Sequence, residues 1–298
     1  MAKLRRNHHQ SSNSGGIVAR GGIFAVLIGV LYMVFRVLDV EVFEPPNTNT
    51  NDPIEVNTRM SNLPTVNGEL VHHSFYSLSY LEKYEQAEWV AYRLTEEVMN
   101  GPYVSRKDDF RPDPLVSSKS ADLADYRGSG YDRGHMAPAG DMNFDKTAMS
   151  ETFFMSNMSP QVHNFNGGIW RELEEQTRDW VRDFDVINIV TGPILSEEPK
   201  DYIGDNKVAV PAAYFKVLMT EGNTPRAVGF IMNNEASDKH LLDCMVSIDE
   251  VERRTGLDFF QGMLSTKEEA RLESYVDKKA WSVNENRYRI RNEKWNFN

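Results

Sequence analysis

Residues 126–141, Tyr-Arg-Gly-Ser-Gly-Tyr-Asp-Arg-Gly-His-Met-Ala-Pro-Ala-Gly-Asp, set one histidine among four glycines, two arginines and two aspartates. Glycine lets a backbone turn sharply or lie close to a ligand, so Arg133 and His135, on either side of Gly134, can be displayed rather than packed. An imidazole titrates near neutrality and suits a proton acceptor, while a guanidinium beside it suits an anion. The competing reading is a surface loop whose histidine has ordinary partners.

A second segment, Phe153 to Glu174 (FFMSNMSPQVHNFNGGIWRELE), passes from an apolar run through Ser-Pro-Gln into an amphipathic helix predicted over about 167–184. Asn166 stands where that helix should begin, a position that asparagine often occupies only as a cap. Glu174 follows eight residues later, about two turns on, near the same helix face. A pair of oxygen donors suits a hard cation: Mg²⁺ keeps most of its water shell and takes one or two protein ligands, with a carboxylate behind to hold that water. Asp132 reads as a loop brace and His163 as solvent-facing. His72, His73 and His240 have no evident partner. The single cysteine, Cys244, excludes an internal disulfide and a cysteine metal cluster, and its apolar neighbours predict a buried thiol.

These groups need a scaffold. Apolar residues from Leu81 to Val98 recur at helical spacing, Ser79 and Glu82 resemble a capping box, and Asn100-Gly101-Pro102 stops the pattern, which predicts a helix. Strands are predicted at 152–158, 186–191, 208–210, 214–219 and 227–232. Helices and strands do not alternate, so the fold class is α+β around a mixed, largely antiparallel sheet.

The chain has 298 residues with 33 basic and 44 acidic side chains. Its first 38 residues contain no acid but five bases, so residues 39–298 carry 28 basic and 44 acidic groups, a net −16. Such a body attracts no polyanion by overall charge. Ile23–Phe35 is uninterruptedly apolar between Arg20 and Arg36, which can extend toward the two interfaces. The expected organisation is a basic cytoplasmic tail (1–20), a transmembrane helix (21–38) that contacts the membrane, a linker (39–65) rich in Asn, Thr and Pro, and a globular domain (66–298) on the non-cytoplasmic, periplasmic or extracellular side. A cleaved signal peptide and an organelle-targeting leader are the competing readings.

Together the motifs resemble the DNA/RNA non-specific endonucleases of the ββα-metal, or His-Me finger, class, the endonuclease G-like group. The resemblance rests on Asp132-Arg133-Gly134-His135 with Met-Ala-Pro-Ala, Ser156-Asn157-Met158-Ser159-Pro160-Gln161, Asn166, Trp170, Leu173-Glu174, Thr191-Gly192-Pro193, Val210-Pro211 and Tyr214-Phe215-Lys216-Val217. It implies a ββα-metal finger and Mg²⁺-dependent hydrolysis of DNA and RNA phosphodiesters, with Mn²⁺ as the alternative ion. His135 would be the general base that activates water, and Asn166 the direct metal ligand. The metal would neutralise the phosphate and stabilise the leaving 3′ oxygen. Glu174 would hold metal-bound water, Arg133 would stabilise the transition state, and Asn157 would orient groups at the edge of the site. An upstream arginine, Arg106 in preference to Arg111, would assist. DNA and RNA would be held by the phosphate backbone without base readout, and a homodimer is among the assemblies implied. The other function classes are a degenerate nuclease fold that only binds, and a hydrolase of a different phosphodiester.

Overall fold

A computed structural model of the chain describes residues 58–295. The expected tail and transmembrane helix, and all but the end of the linker, lie outside the described residues. Among the described residues no helix is long and apolar enough to cross a membrane.

Seven strands form the central sheet: β1 (Glu69–His72), β2 (Ser77–Leu81), β3 (Gln86–Thr95), β6 (Val186–Pro193), β9 (Ala213–Thr220), β10 (Ala227–Asn233) and β11 (Met245–Val246), in that spatial order. Every neighbouring pair is antiparallel. Two small antiparallel pairs stand apart from it, β4 (Asp132–His135) with β5 (Met158–Gln161) and β7 (Asp201–Ile203) with β8 (Val208–Val210). Helix α1 (Arg171–Phe184) covers one face, where Leu173, Trp180 and Val181 meet Leu78, Tyr92, Ile189, Leu218 and Phe230. Helices α2 (Ile248–Thr255) and α3 (Thr266–Glu273) cover the other, packing Val251 and Leu272 with Trp89, Phe215 and Val217. Helix α4 (Glu285–Lys294) ends the described chain.

The helix expected across residues 81–98 is instead β2, a turn and β3, with helix only at Glu96–Met99. The cause lies in the two covered faces. In β3, Val90, Tyr92 and Leu94 point to one core while Trp89 and Ala91 point to the other, so an apolar residue occurs at nearly every position and imitates a helical spacing. The supposed capping pair is also diverted: the Ser79 hydroxyl donates to Glu88 Oε1 at 2.5 Å, and Glu82 accepts from Ser118. The strand expected at 152–158 is a short 3₁₀ turn, Met155–Asn157, with the strand β5 following it. The other three long strand predictions fall within β6, β9 and β10. Packing reaches upstream of residue 66, since the Thr58 carbonyl accepts from Arg93 N at 2.6 Å and Met60 is buried among the α2 and α3 contacts.

Helix α4 is fastened to α1 by a buried ion pair, Arg291 Nε to Glu172 Oε2 at 2.5 Å. Arg291 also donates to the Lys239 carbonyl at 2.6 Å. Breaking a buried pair from one side leaves a charge without compensation, which costs about 3–5 kcal/mol. Arg291→Met should therefore lower the chemical-denaturation stability by about 3 kcal/mol, and adding Glu172→Met should restore part of the loss. Equal stability of the single variant and the parent chain would show that the pair does not anchor α4.

Candidate active site

A cleft of about 440 Å³ opens where β4, α1 and the end of α4 converge, and its lining includes Arg106, Arg133, His135, Asn166 and Glu174. Strand β4 delivers Arg133 and His135. Its register on β5 places Gly134 opposite Ser159, and a side chain at 134 would fall inside that of Gln161, so only glycine permits this approach. Arg133 extends into solvent over the Phe110 ring, 4.3 Å from its centroid, and forms no ion pair among the described residues.

The His135 imidazole stands edge-on to Phe153 at 5.1 Å, with its Nε2 buried and without a hydrogen-bond partner. Burial, reinforced by the positive charges of Arg106 and Arg133, pushes its pKa down to about 3. The ring is therefore neutral across the ordinary pH range, able to accept a proton but not to supply one.

Residues 165–170 form an irregular helical turn, kinked at Gly168 where the backbone leaves helical geometry (φ −97°, ψ −113°), and lead into α1. Asn166 is the second residue of this turn rather than a helix cap. Its Nδ2 donates to Asp132 Oδ2 at 2.9 Å, which leaves Oδ1 as the acceptor toward the cleft. The same Asp132 oxygen lies 2.9 Å from His163 Nδ1, so the expected loop brace also ties two cleft residues together. His163 keeps 68 % of its side chain exposed, as expected, yet it has this partner and lines the cleft. The turn is seated on aromatics: Phe165 stacks on Tyr214 at 5.4 Å, and the Tyr214 hydroxyl donates to the Pro160 carbonyl at 2.7 Å.

Glu174 projects from the first turn of α1 into the same cleft and makes no hydrogen bond among the described residues. Burial raises its pKa to about 7 against the opposing pull of Lys216 and Arg178. Lys216, 1 % exposed on β9, lies under the cleft with its Nζ 5.2 Å from the Trp170 ring centroid, and burial lowers its pKa. Arg178 is held by Asp141, the last residue of the glycine-rich segment, at 2.7 Å.

Asn157 does not reach the cleft, contrary to the expectation from sequence. It is fully buried: Oδ1 accepts from Ala137 N at 2.8 Å, and Nδ2 donates to the carbonyls of Ala137 and Thr152 at 3.0 and 2.8 Å. It clamps the backbone two residues beyond His135. The two upstream arginines separate as well. Arg106 lines the cleft above Phe153, whereas Arg111 is turned onto Asp109, Ser150 and the Phe154 ring. Tyr214, Lys216, Arg178 and Trp295 were not singled out as site residues from the sequence, where they read as core or as ordinary helix surface. Trp295 lies at the rim, close enough to Gly167 that a side chain there would meet the indole.

As for a metal, the free Asn166 oxygen and the unpaired Glu174 carboxylate supply oxygen donors only, and a carboxylate this costly to ionise is one that a cation would relieve. These residues fit a hard divalent ion.

The sequence profile described as DNA/RNA non-specific endonuclease matches residues 56–266. Mitochondrial endonuclease G of Homo sapiens is 36% identical over 211 residues, covering 66% of this chain and 71% of that protein. Nuclease C1 of Cunninghamella echinulata var. echinulata is 37% identical over 208 residues, covering 64% and 82%. Among solved structures, the crystal structure of the EndoG/EndoGI complex, reported for the mechanism of EndoG inhibition, superposes with a TM-score of 0.62 at 33% identity, covering 67% of this chain and 88% of that one.

The Asn157 clamp yields a measurable expectation. Asn157→Ala leaves one buried N–H and two carbonyls without partners, and each such group costs about 1–3 kcal/mol. Thermal unfolding should show a loss of at least about 2 kcal/mol, with activity falling because His135 is displaced. A variant of unchanged stability would mean that the clamp is not needed to hold the loop.

Proposed function

Because the chain belongs to the DNA/RNA non-specific endonuclease family and is a nucleic-acid-hydrolysing enzyme, we propose that its cleft cuts DNA and RNA phosphodiesters with His135 as general base and a Mg²⁺-class ion held by Asn166. The observation that carries this reading is the convergence of a neutral imidazole, a free amide oxygen, an unpaired carboxylate and four arginines, Arg106, Arg133, Arg171 and Arg178, in one cleft. No element of this assembly addresses a base edge, which favours reading by phosphate and hence little sequence preference.

His135 takes the proton of the attacking water. Its low basicity is partly imposed by Arg106 and Arg133, and a bound phosphate offsets those two charges, so substrate binding raises the affinity of the ring for the proton when it is needed. Arg133, free of carboxylate partners, stabilises the charge that builds on the phosphoryl oxygens. Arg106 acts from the other side of His135. Asp132 fixes the Asn166 amide through Nδ2, so that its oxygen would be the one to hold the ion, and Glu174 would support that ion through its water. Asn157 serves as a positioning residue through the loop it clamps. When bound, the cation supplies charge neutralisation at the phosphate and the departing 3′ oxygen.

A degenerate nuclease fold that only binds would have no need of an imidazole whose buried Nε2 has no hydrogen bond among the described residues, beside a free oxygen donor set. The reading for location is a membrane anchor at residues 21–38 with the nuclease on the non-cytoplasmic side. The word mitochondrial in the name of the human relative favours organelle targeting as the second reading.

Two measurements test the mechanism. His135→Ala should lower plasmid cleavage by about 10²-fold or more while circular dichroism stays unchanged; near-parental cleavage would remove the base from the scheme. The raised Glu174 pKa sets a pH dependence. Below about 7 the carboxyl is protonated in the metal-free protein and a cation must displace the proton. The Mg²⁺ concentration for half-maximal activity should thus rise about tenfold per pH unit below 7, and Glu174→Gln should need high Mg²⁺ at every pH. A half-saturating Mg²⁺ concentration that does not change between pH 7 and 5.5 would exclude Glu174 from the metal site.

A further inference from the structure

On the face of the sheet opposite α1, the two helices α2 and α3 bring together a second group of oxygen donors. Asp249 and Glu252 lie three residues apart on α2, and Glu273 is the last residue of α3; one carboxylate oxygen from each lies within 4.8 Å of the others. That span has a physical meaning. Ca²⁺ binds oxygen at about 2.3–2.6 Å, so two ligands across one ion stand about 4.8 Å apart, and three carboxylates within that distance can share an ion without moving either helix.

The cluster alone would be unremarkable on an acidic protein, but Glu273 is not a surface acid. It is only 8 % exposed, it makes no hydrogen bond or ion pair among the described residues, and one of its carboxylate oxygens lies in the group. Buried carboxylates are ordinarily paired or hydrogen-bonded, because an unpaired one forfeits its hydration. The charged groups that act most strongly on Glu273 are all of its own sign, from Glu252, Glu269, Asp249 and Asp258. Glu252 accepts from Phe259 N at 3.0 Å through Oε1, and its second oxygen is left for another partner. Below the carboxylates lie Ile248, Val251 and Leu272, which exclude water from the inner side.

We propose that Asp249, Glu252 and Glu273 bind a hard divalent cation of the Ca²⁺ class, at a site separate from the catalytic cleft, and that the ion fastens α3 to α2. Three preassembled carboxylates suit Ca²⁺ better than Mg²⁺, which gives up its water reluctantly, and the absence of nitrogen and sulfur donors disfavours Zn²⁺. Helix α3 starts at Thr266, where the matched family region ends, so the ion would tie a C-terminal segment to the conserved body. The site does not depend on the nuclease reading, and its role is structural.

The experiment uses the full chain carrying Asn166→Ala, which removes the proposed ligand from the cleft. Saturating Ca²⁺ should raise the unfolding temperature of that protein by about 5 °C over EDTA, with matching heat in calorimetric titration. Adding Glu273→Gln should abolish both signals, and the more exposed Asp249→Asn should weaken binding at least tenfold should the Glu273 variant fold poorly. Glu273→Gln by itself should keep the Mg²⁺-dependent nuclease rate of the parent. Two results would overturn the proposal: no Ca²⁺ effect in the Asn166→Ala chain, or an undiminished effect after both substitutions. A Glu273→Gln protein that in EDTA is more stable than the parent, with the parent binding no Ca²⁺, would identify a carboxyl that merely keeps its proton.

Discussion

Covering both faces of a seven-stranded antiparallel sheet is the constraint on which the rest of the molecule depends. A single-faced sheet would leave its outer side polar; here both sides need apolar residues and both need helices. Helix α1 closes one side and, since its buried stripe is fixed by Leu173, Trp180 and Val181, its remaining face is fixed too. Glu174 lies on that remaining face, and the kinked turn before the helix carries Asn166. The rigidity of the site is thus a by-product of core packing: Glu174 stands on a helix that cannot rotate without exposing tryptophan, and the imidazole stands on a strand followed by the loop that Asn157 clamps.

Electrostatics then divides the labour in the cleft. A net −16 over residues 39–298 repels a polyanion at long range, so attraction has to be local. Four arginines line the cleft, but Arg171 and Arg178 are engaged with Glu175 and Asp141, and Arg106 with Asp108, which leaves Arg133 as the guanidinium free of a carboxylate. The same low-dielectric setting moves two titrating groups in opposite senses, His135 down to about 3 and Glu174 up to about 7. Both shifts disfavour the charged form, and both are reversed by the partners a phosphodiester reaction brings: an anion beside the arginines and a cation beside the carboxylate. A neutral imidazole and a carboxyl that resists ionisation are thereby set among cleft arginines, where ligands of either sign would change their charge.

The sequence exposed the chemistry more readily than the scaffold. What the structure shows of Arg133, His135, Asn166 and Glu174 is their placement: each sits in a short segment whose glycine or turn chemistry is unusual, and all four line one cleft. Asn157 stands in an equally distinctive segment, but its three hydrogen bonds go to backbone groups on two other stretches of chain, which no local pattern reveals. The partners of the remaining histidines were hidden for the same reason: His73 meets Asp113 at 2.9 Å across forty residues, and His240 meets Glu285 across forty-five. Strand β3 was misread because burial on two faces erases the alternation that identifies a strand. Strands β6, β9 and β10, bounded by glycine, proline or asparagine, remained visible.

The C-terminal segment shows why a family resemblance alone is an incomplete guide to this chain. Residues beyond 266 lie outside the matched region, yet they are not appended passively. Helix α3 completes the outer core through Leu272, while α4 sends Arg291 under α1 to Glu172, two residues from Glu174. Arg287 of the same helix reaches Glu175 at 3.2 Å, and Trp295 closes the rim beside Asn166. A buried guanidinium next to the helix that carries the cleft carboxylate Glu174 contributes to the local potential as well as to docking. Removing α4 would therefore be expected to alter the site through two routes, by freeing the N-terminal turns of α1 and by withdrawing positive charge from beneath Glu172 and Glu175. Helix α4, which lies beyond the matched residues, thus packs against the helix that carries the cleft carboxylates Glu174 and Glu175.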